Sequence, residues 1–98
     1  MSKIITKDEF QKLVLESKET VLVDFFANWC GPCRMLSPIM DDISNEISVY
    51  KIDTDSESDL AREYGVMSIP CVIAFKDGKE VSRTVGLKSK DEIMQMIK

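Results

Sequence analysis

The stretch TVLVDFFANWCGPCRMLSPIM, residues 20–40, joins a strand pattern to a helix pattern through two cysteines. Its first part, Thr20 to Phe26, is a run of β-branched, aliphatic and aromatic residues, which predicts a strand buried on both faces. Pro32 suits the first position of a helix, and apolar residues recur at helical spacing after it. Cys30 and Cys33 therefore lie at the carboxyl end of a buried strand, where open α/β sheets place their chemistry.

Outside this stretch, strand and helix patterns alternate along the chain. The predicted elements are a strand at SKIIT (2–6), a helix capped by Thr6 and Glu9, a strand at SVYKID (48–53), a helix over 57–64, strands at CVIAF (71–75) and EVSRTV (80–85), and a helix capped by Ser89 and Glu92. Asp77-Gly78 predicts a hairpin turn between the last two strands. The order β-α-β-α-β-α-β-β-α predicts an α/β fold, with a mixed sheet, three parallel strands and helices on both faces.

Length and composition limit what the protein can be. With 98 residues, 44% of them hydrophobic, the chain predicts one globular domain, residues 1–98. A formal net charge of −4, with acidic and basic residues interspersed, disfavours a nucleic-acid partner. No apolar run has the length of a membrane span, and the start MSKIITKDEF lacks the apolar core of a signal peptide. We therefore expect a cytoplasmic monomer with no membrane partner, in a compartment that keeps thiols reduced.

Three kinds of site would place two cysteines three residues apart: a structural disulfide, half of a metal site, or a redox-active disulfide. The cysteine count is odd, and a ring closed over four residues contributes only about 2 kcal/mol in the chain-entropy model, so a structural staple is disfavoured. A closed zinc site needs four ligands, but the sequence has no His and only Cys71 beyond the pair. Redox chemistry is the favoured interpretation, with a metal bridging two chains through Cys30, Cys33 and Cys71 as a remote alternative.

The position of the pair predicts a different task for each thiol. Unpaired N–H groups and peptide dipoles at a helix N-terminus stabilise an anion, which predicts a lowered pKa and an accessible thiolate for Cys30. One helical turn brings two Cα atoms about 5–6 Å apart, which is a disulfide distance. We predict that Cys30 attacks a disulfide in another molecule and that the more buried Cys33 resolves the mixed disulfide.

A carboxylate interrupts the apolar strand before the cysteines. Alternation places Asp24 on the same face as Leu22 and Phe26, and both faces of this strand are apolar. The pattern predicts a buried carboxyl group whose pKa is raised by the loss of solvent. The alternative is a partly exposed aspartate at the end of the sheet.

Several separated motifs, in order, resemble the thioredoxin family over essentially the whole chain. They are VDFFANWCGPCRMLSPIMDDI (23–43), YKIDTD (50–55), YGVMSIP (64–70) and FKDGKEVSRTVG (75–86). The Gly-Pro pair between the cysteines is the form that thioredoxins carry, whereas oxidising disulfide isomerases usually have His there. The resemblance implies a thioredoxin fold and a protein-disulfide reductase.

The resemblance also implies roles for particular residues. Asp24 matches a general base that takes the proton of Cys33, and Lys51 matches the lysine that accompanies it. Pro70 matches a proline held cis beside the disulfide, which leaves backbone groups free to pair with an extended client segment. The implied client-docking surface consists of Trp29, Gly31, Pro32, Ile69, Pro70, Val85 and Gly86. A core aromatic for Trp29 and an ordinary strand-start proline for Pro70 are the alternatives.

As a further implication of the resemblance, the protein binds no cofactor and its redox group is the Cys30–Cys33 disulfide. NADPH and FAD would act only through a partner, thioredoxin reductase, and the expected clients are ribonucleotide reductase, peroxiredoxins and methionine sulfoxide reductases. Cys71 departs from the family, which normally has Thr after the cis proline; it is either a small buried hydrophobe or an extra redox thiol. A glutaredoxin-like enzyme that uses glutathione and a non-enzymatic binding module are the alternative functions.

Overall fold

The chain folds as a five-stranded sheet with helices on both faces, and the computed structural model describes residues 2–98. The strands are β1 (Lys3–Ile4), β2 (Val21–Phe26), β3 (Ser48–Asp53), β4 (Cys71–Lys76) and β5 (Lys79–Val85). The helices are α1 (Lys7–Phe10), which continues as a π-helical segment over Gln11–Leu15, α2 (Gly31–Ile43), α3 (Ser58–Glu63) and α4 (Lys90–Met96). The predicted element order is confirmed.

The sheet has the strand order β1-β3-β2-β4-β5. β1, β3 and β2 run parallel, whereas β4 is antiparallel to β2 and β5 is antiparallel to β4. β2 is the central strand, and all six of its residues are buried, as its composition predicted. Its carboxyl end therefore delivers the chain from the middle of the sheet directly into α2.

The alternation of side chains along β2 builds two cores. Val21, Val23 and Phe25 pack on one face with residues of α1 and α3, while Leu22 packs on the other face with residues of α2 and α4. Because helices cover both faces of the sheet, β2 has no side in contact with solvent, and such a strand is apolar along its whole length. Asp24 is the exception to that pattern.

Local chemistry fixes the ends of the elements as predicted. Thr6 with Glu9 and Ser89 with Glu92 form reciprocal capping boxes at the starts of α1 and α4. Asp77 and Gly78 have φ angles of 53° and 75°, so both turn residues are left-handed, which matches the twist of the β4–β5 hairpin.

The first strand and the first helix differ from the prediction. The first strand covers two residues rather than the five of SKIIT, and the helix after Thr6 changes to π geometry, which hydrophobic periodicity does not distinguish from an α-helix. α2 ends at Ile43, so Ile47, which continues the apolar spacing, packs against the core from beyond the helix. Within residues 2–98, no helix is both long enough and apolar enough to cross a bilayer.

Candidate active site

The two cysteines form a disulfide at the start of α2. Cys30 is the N-cap residue of the helix, and Cys33 lies one turn further on. Their Cα atoms are 5.2 Å apart, within the predicted distance. The backbone N–H of Cys33 donates a hydrogen bond to Cys30 Sγ over 3.2 Å. The helix thus directs one of its unpaired N–H groups at the sulfur of Cys30, as expected for a site that stabilises a thiolate.

Both cysteines are shielded by neighbouring residues. Cys30 is 5% exposed and Cys33 is 2% exposed, so the predicted order of accessibility is present, but Cys30 is less open than the sequence suggested. The reason is packing: both belong to a small apolar cluster with Phe26 and Ala27, and Ile69 covers it. The Ile69 carbonyl oxygen lies 3.9 Å from Cys30 Sγ.

Asp24 lies beneath this cluster in the centre of the sheet. Its side chain is fully buried, and among residues 2–98 neither carboxyl oxygen has a hydrogen-bond partner. Burial raises the pKa of Asp24 from 3.8 to about 7, although the positive charge of Lys51 opposes the shift. The alternative of a partly exposed aspartate is therefore wrong.

Lys51 lies beside Asp24 on the neighbouring strand, where the two residues are register partners. Its Nζ donates a hydrogen bond of 3.1 Å to Ser37 Oγ on α2 and lies 4.5 Å from the centre of the Phe26 ring. The ammonium group is therefore held between the sheet and the helix rather than extended into solvent. Sequence reasoning did not identify Ser37, because a serine in a helix gives no pattern of its own.

A cavity of about 120 Å³ opens beside Cys33. Ser37 and Lys51 contribute to its wall, and the full lining is Phe26, Ala27, Asn28, Cys33, Arg34, Ser37 and Lys51. The Arg34 guanidinium donates to the carbonyl oxygen of Asn28 over 2.8 Å, which joins two residues of this wall. A small space with both apolar and polar walls therefore adjoins the cysteine that is predicted to resolve the mixed disulfide.

The predicted docking residues come from three segments that the fold brings together. The Ile69–Pro70 peptide bond is cis, and the Pro70 carbonyl oxygen accepts a 2.8 Å hydrogen bond from the N–H of Gly86. This bond ties the β5 exit to the proline loop. Val85 is 47% exposed, and Gly31 and Pro32 lie at the start of α2.

Trp29 is a surface residue rather than part of the core. It is 69% exposed, and its indole N–H donates to the Asp55 carboxylate over 3.0 Å. Asp55 was not among the predicted site residues. Its position two residues after β3, at the carboxyl edge of the sheet, is the feature that could have identified it, because neighbouring parallel strands end at the same edge.

Cys71 lies apart from the disulfide cluster. It is 1% exposed and packs in the core on the α1 and α3 face, opposite Phe25 and Val85 in the sheet register. Burial raises the pKa of its thiol. Both findings favour a small buried hydrophobe over an extra redox thiol. Within residues 2–98, no three His, Cys, Asp or Glu side chains are grouped to hold a metal ion.

Comparison with known proteins agrees with this geometry. The family model described as Thioredoxin matches residues 1–98. The chain belongs to the thioredoxin family. A thioredoxin of Chlamydia muridarum is 45% identical over 100 residues, covering 99% of this chain and 96% of that protein. A thioredoxin of Rickettsia felis is 43% identical over 101 residues with the same coverage.

The fold agrees with that of a solved thioredoxin structure. A mutant thioredoxin from Halobacterium salinarum superimposes with a TM-score of 0.89 at 36% identity, covering 98% of this chain and 86% of that one. As a thioredoxin family member with a bonded Cys-x-x-Cys pair, the protein is a thiol–disulfide oxidoreductase. Such proteins carry no bound cofactor, are reduced by thioredoxin reductase and act on disulfide-containing substrates.

Proposed function

We propose that this protein reduces disulfides of other proteins, with Cys30 as the attacking thiol and Cys33 as the resolving thiol. The observation that carries this assignment is the hydrogen bond from the Cys33 N–H to Cys30 Sγ at the N-terminus of α2. In the reduced protein the same N–H and the helix dipole stabilise a negative charge on Cys30, the outer of the two sulfurs.

In the first step, the Cys30 thiolate attacks one sulfur of the client disulfide. A bond forms between Cys30 Sγ and that sulfur, the client S–S bond breaks, and the second client sulfur leaves as a thiolate that takes a proton. Trp29, Ile69 and Val85 present the apolar surface against which the client segment rests, with Gly31, Pro32 and Gly86 completing it; Pro70 is itself buried next to Ile69.

In the second step, Cys33 attacks Cys30 Sγ. Asp24 accepts the proton of the Cys33 thiol, and its pKa of about 7 suits a base that works near neutral pH. The Cys30–Cys33 disulfide forms, and the remaining client sulfur leaves as a thiolate that is protonated. Two electrons have then passed from the cysteine pair to the client; Cys33 has given up one proton, to Asp24, and solvent supplies the other proton that the two client thiolates need. Lys51 supplies a positive charge beside the Asp24 carboxylate.

The partners follow from the family rather than from a contact in the structure. NADPH, through the flavin of thioredoxin reductase, returns the disulfide to the dithiol, and ribonucleotide reductase, peroxiredoxins and methionine sulfoxide reductases are the proposed clients. We place this activity in the cytoplasm and in one domain, residues 1–98. The family match favours this function over the glutaredoxin-like and non-enzymatic alternatives.

Reduction of insulin by dithiothreitol, followed as turbidity, tests the assignment. Cys30→Ser is expected to abolish the acceleration, and Cys33→Ser is expected to accumulate a mixed disulfide between Cys30 and the client that dithiothreitol releases. Cys71→Ala is the matched control, since its thiol lies in a different cluster and its loss should leave the rate unchanged. Full activity of Cys30→Ser would contradict the proposal.

A further inference from the structure

Lys51 is held at the active site by a hydroxyl group that the proposed reaction does not use. A half-buried ammonium needs hydrogen-bond acceptors to replace water. The Phe26 ring offers its face at 4.5 Å, and Ser37 Oγ accepts a hydrogen bond at 3.1 Å. The carboxyl oxygens of Asp24 accept no hydrogen bond from this ammonium, although the two residues are register partners. Ser37 therefore determines where the positive charge stands relative to Asp24.

We propose that Ser37 is a positioning residue for the resolving step: its hydroxyl fixes the Lys51 ammonium beside the cavity at Cys33 and thereby sets the pH at which Asp24 gives up its proton. This inference rests on the proposed function of Asp24 as the base for Cys33. Ser37, Lys51 and Cys33 share the wall of one cavity of about 120 Å³, so a displacement of the ammonium changes the charge seen by both reacting groups.

Charged and titratable groups lie on the strands beside Asp24 and on α2. The charge of Lys51 on β3 opposes the rise that burial causes in the pKa of Asp24, and burial, with a smaller contribution from the charge of Asp24, raises the pKa of Cys71 on β4. On α2, Cys33 and Arg34 line the cavity together with Lys51, and Asp41 lies one turn after Ser37. Among them Asp41 competes for the ammonium, because it lies four residues after Ser37 and so on the same face of α2. Hydrogen bonds from Ser2 and, to a smaller extent, the charge of Lys51 lower the pKa of Asp41.

Removal of the hydroxyl is expected to send the ammonium toward Asp41 and away from Asp24. The Asp24 carboxylate then loses part of its attraction to a positive charge, so its titration midpoint in Ser37→Ala should rise by about half a pH unit. Ser37→Thr keeps a hydroxyl at the same position and should retain the wild-type midpoint. Adding Asp41→Asn to Ser37→Ala removes the competing carboxylate and should return the midpoint toward the wild-type value.

The carboxyl carbon of Asp24, followed by NMR across pH 5–9 in the oxidised protein, reports the midpoint directly. The rate of mixed-disulfide resolution, measured over the same range, should shift in parallel. The proposal is overturned by a midpoint that is unchanged or lowered in Ser37→Ala, or by a Ser37→Thr variant that shifts as far as Ser37→Ala. Because the NMR titration needs no client, its outcome is separate from that of the insulin assay.

Discussion

At the scale of single residues, the buried carboxyl group of Asp24 lowers the stability of the fold while it serves as the proposed base for Cys33. Burial raises its pKa to about 7, above its ordinary value of 3.8, so between those two pH values the folded protein keeps a proton that the unfolded chain has lost. The free energy of unfolding therefore falls as the pH rises through this window. Above pH 7 the folded protein contains a buried carboxylate that has no hydrogen-bond partner among residues 2–98, and the full cost of burying its charge is present.

We expect Asp24→Asn to stabilise the oxidised protein at pH 8, because an amide carries no charge to bury. The rise in the pKa of Asp24 from 3.8 to about 7 corresponds to a gain in unfolding free energy on the order of 4 kcal/mol. This gain should shrink toward zero near pH 4, where the carboxyl group is protonated in the folded protein. Urea unfolding at pH 4, 6 and 8 measures it, with the exposed Asp59→Asn as control. The same variant should slow mixed-disulfide resolution. A gain that does not vary with pH would show that the charge of Asp24 is not its cause.

At the scale of elements, two glycines with positive φ have different surroundings. Gly78 in the β4–β5 turn has φ of 75°, and a Cβ there would clash with the Leu15 carbonyl oxygen. Gly65, after α3, has φ of 65°, but a Cβ there would have no atom of the described part of the chain within 4 Å. The hairpin turn is therefore packed against the end of the π-helical segment, whereas the α3 terminus is open.

Replacing each glycine by alanine distinguishes the cost of a left-handed backbone from the cost of a steric clash with Leu15. Gly65→Ala should cost about 1 kcal/mol of unfolding free energy, since only the left-handed conformation is disfavoured. Gly78→Ala combines that strain with displacement of backbone, and we expect a loss of about 3 kcal/mol or more. Urea unfolding of the two variants provides the comparison. Equal losses would mean that the turn is free to move away from Leu15.

The elements that the sequence predicted well are those fixed by local chemistry. Capping residues, the Asp-Gly turn and the apolar run of β2 each act within a few residues, so the pattern and the structure agree. The hydrogen bonds from Lys51 to Ser37 and from Trp29 to Asp55 join residues 14 and 26 positions apart. Neither pair has a spacing that predicts contact; both depend on which strands end side by side.

At the scale of the whole molecule, the client surface is a product of the sheet order. β4 lies between β2 and β5, so the residues that follow β2, precede β4 and end β5 meet at one edge. The bond from the Gly86 N–H to the Pro70 carbonyl and the approach of Ile69 to Cys30 Sγ connect these segments. An apolar side chain on this edge should contribute to the binding of protein clients, which contact the surface. It should not affect the reduction of small disulfides, which contact only the attacking sulfur.

Two exposed valines on β5 test this. Val85, 47% exposed, lies at the active-site end of the strand, whereas Val81, 58% exposed, lies four residues away from it. Val85→Ser should raise KM for insulin about threefold to tenfold, because it removes roughly 1 kcal/mol of apolar contact. Val81→Ser should leave KM unchanged. For a small aromatic disulfide such as 5,5′-dithiobis(2-nitrobenzoate), we expect both variants to match the wild-type rate. If Val85→Ser slowed reduction of the small disulfide as much as that of insulin, Val85 would act on the sulfur pair itself. If Val85→Ser and Val81→Ser raised KM for insulin equally, Val85 would not belong to the client surface.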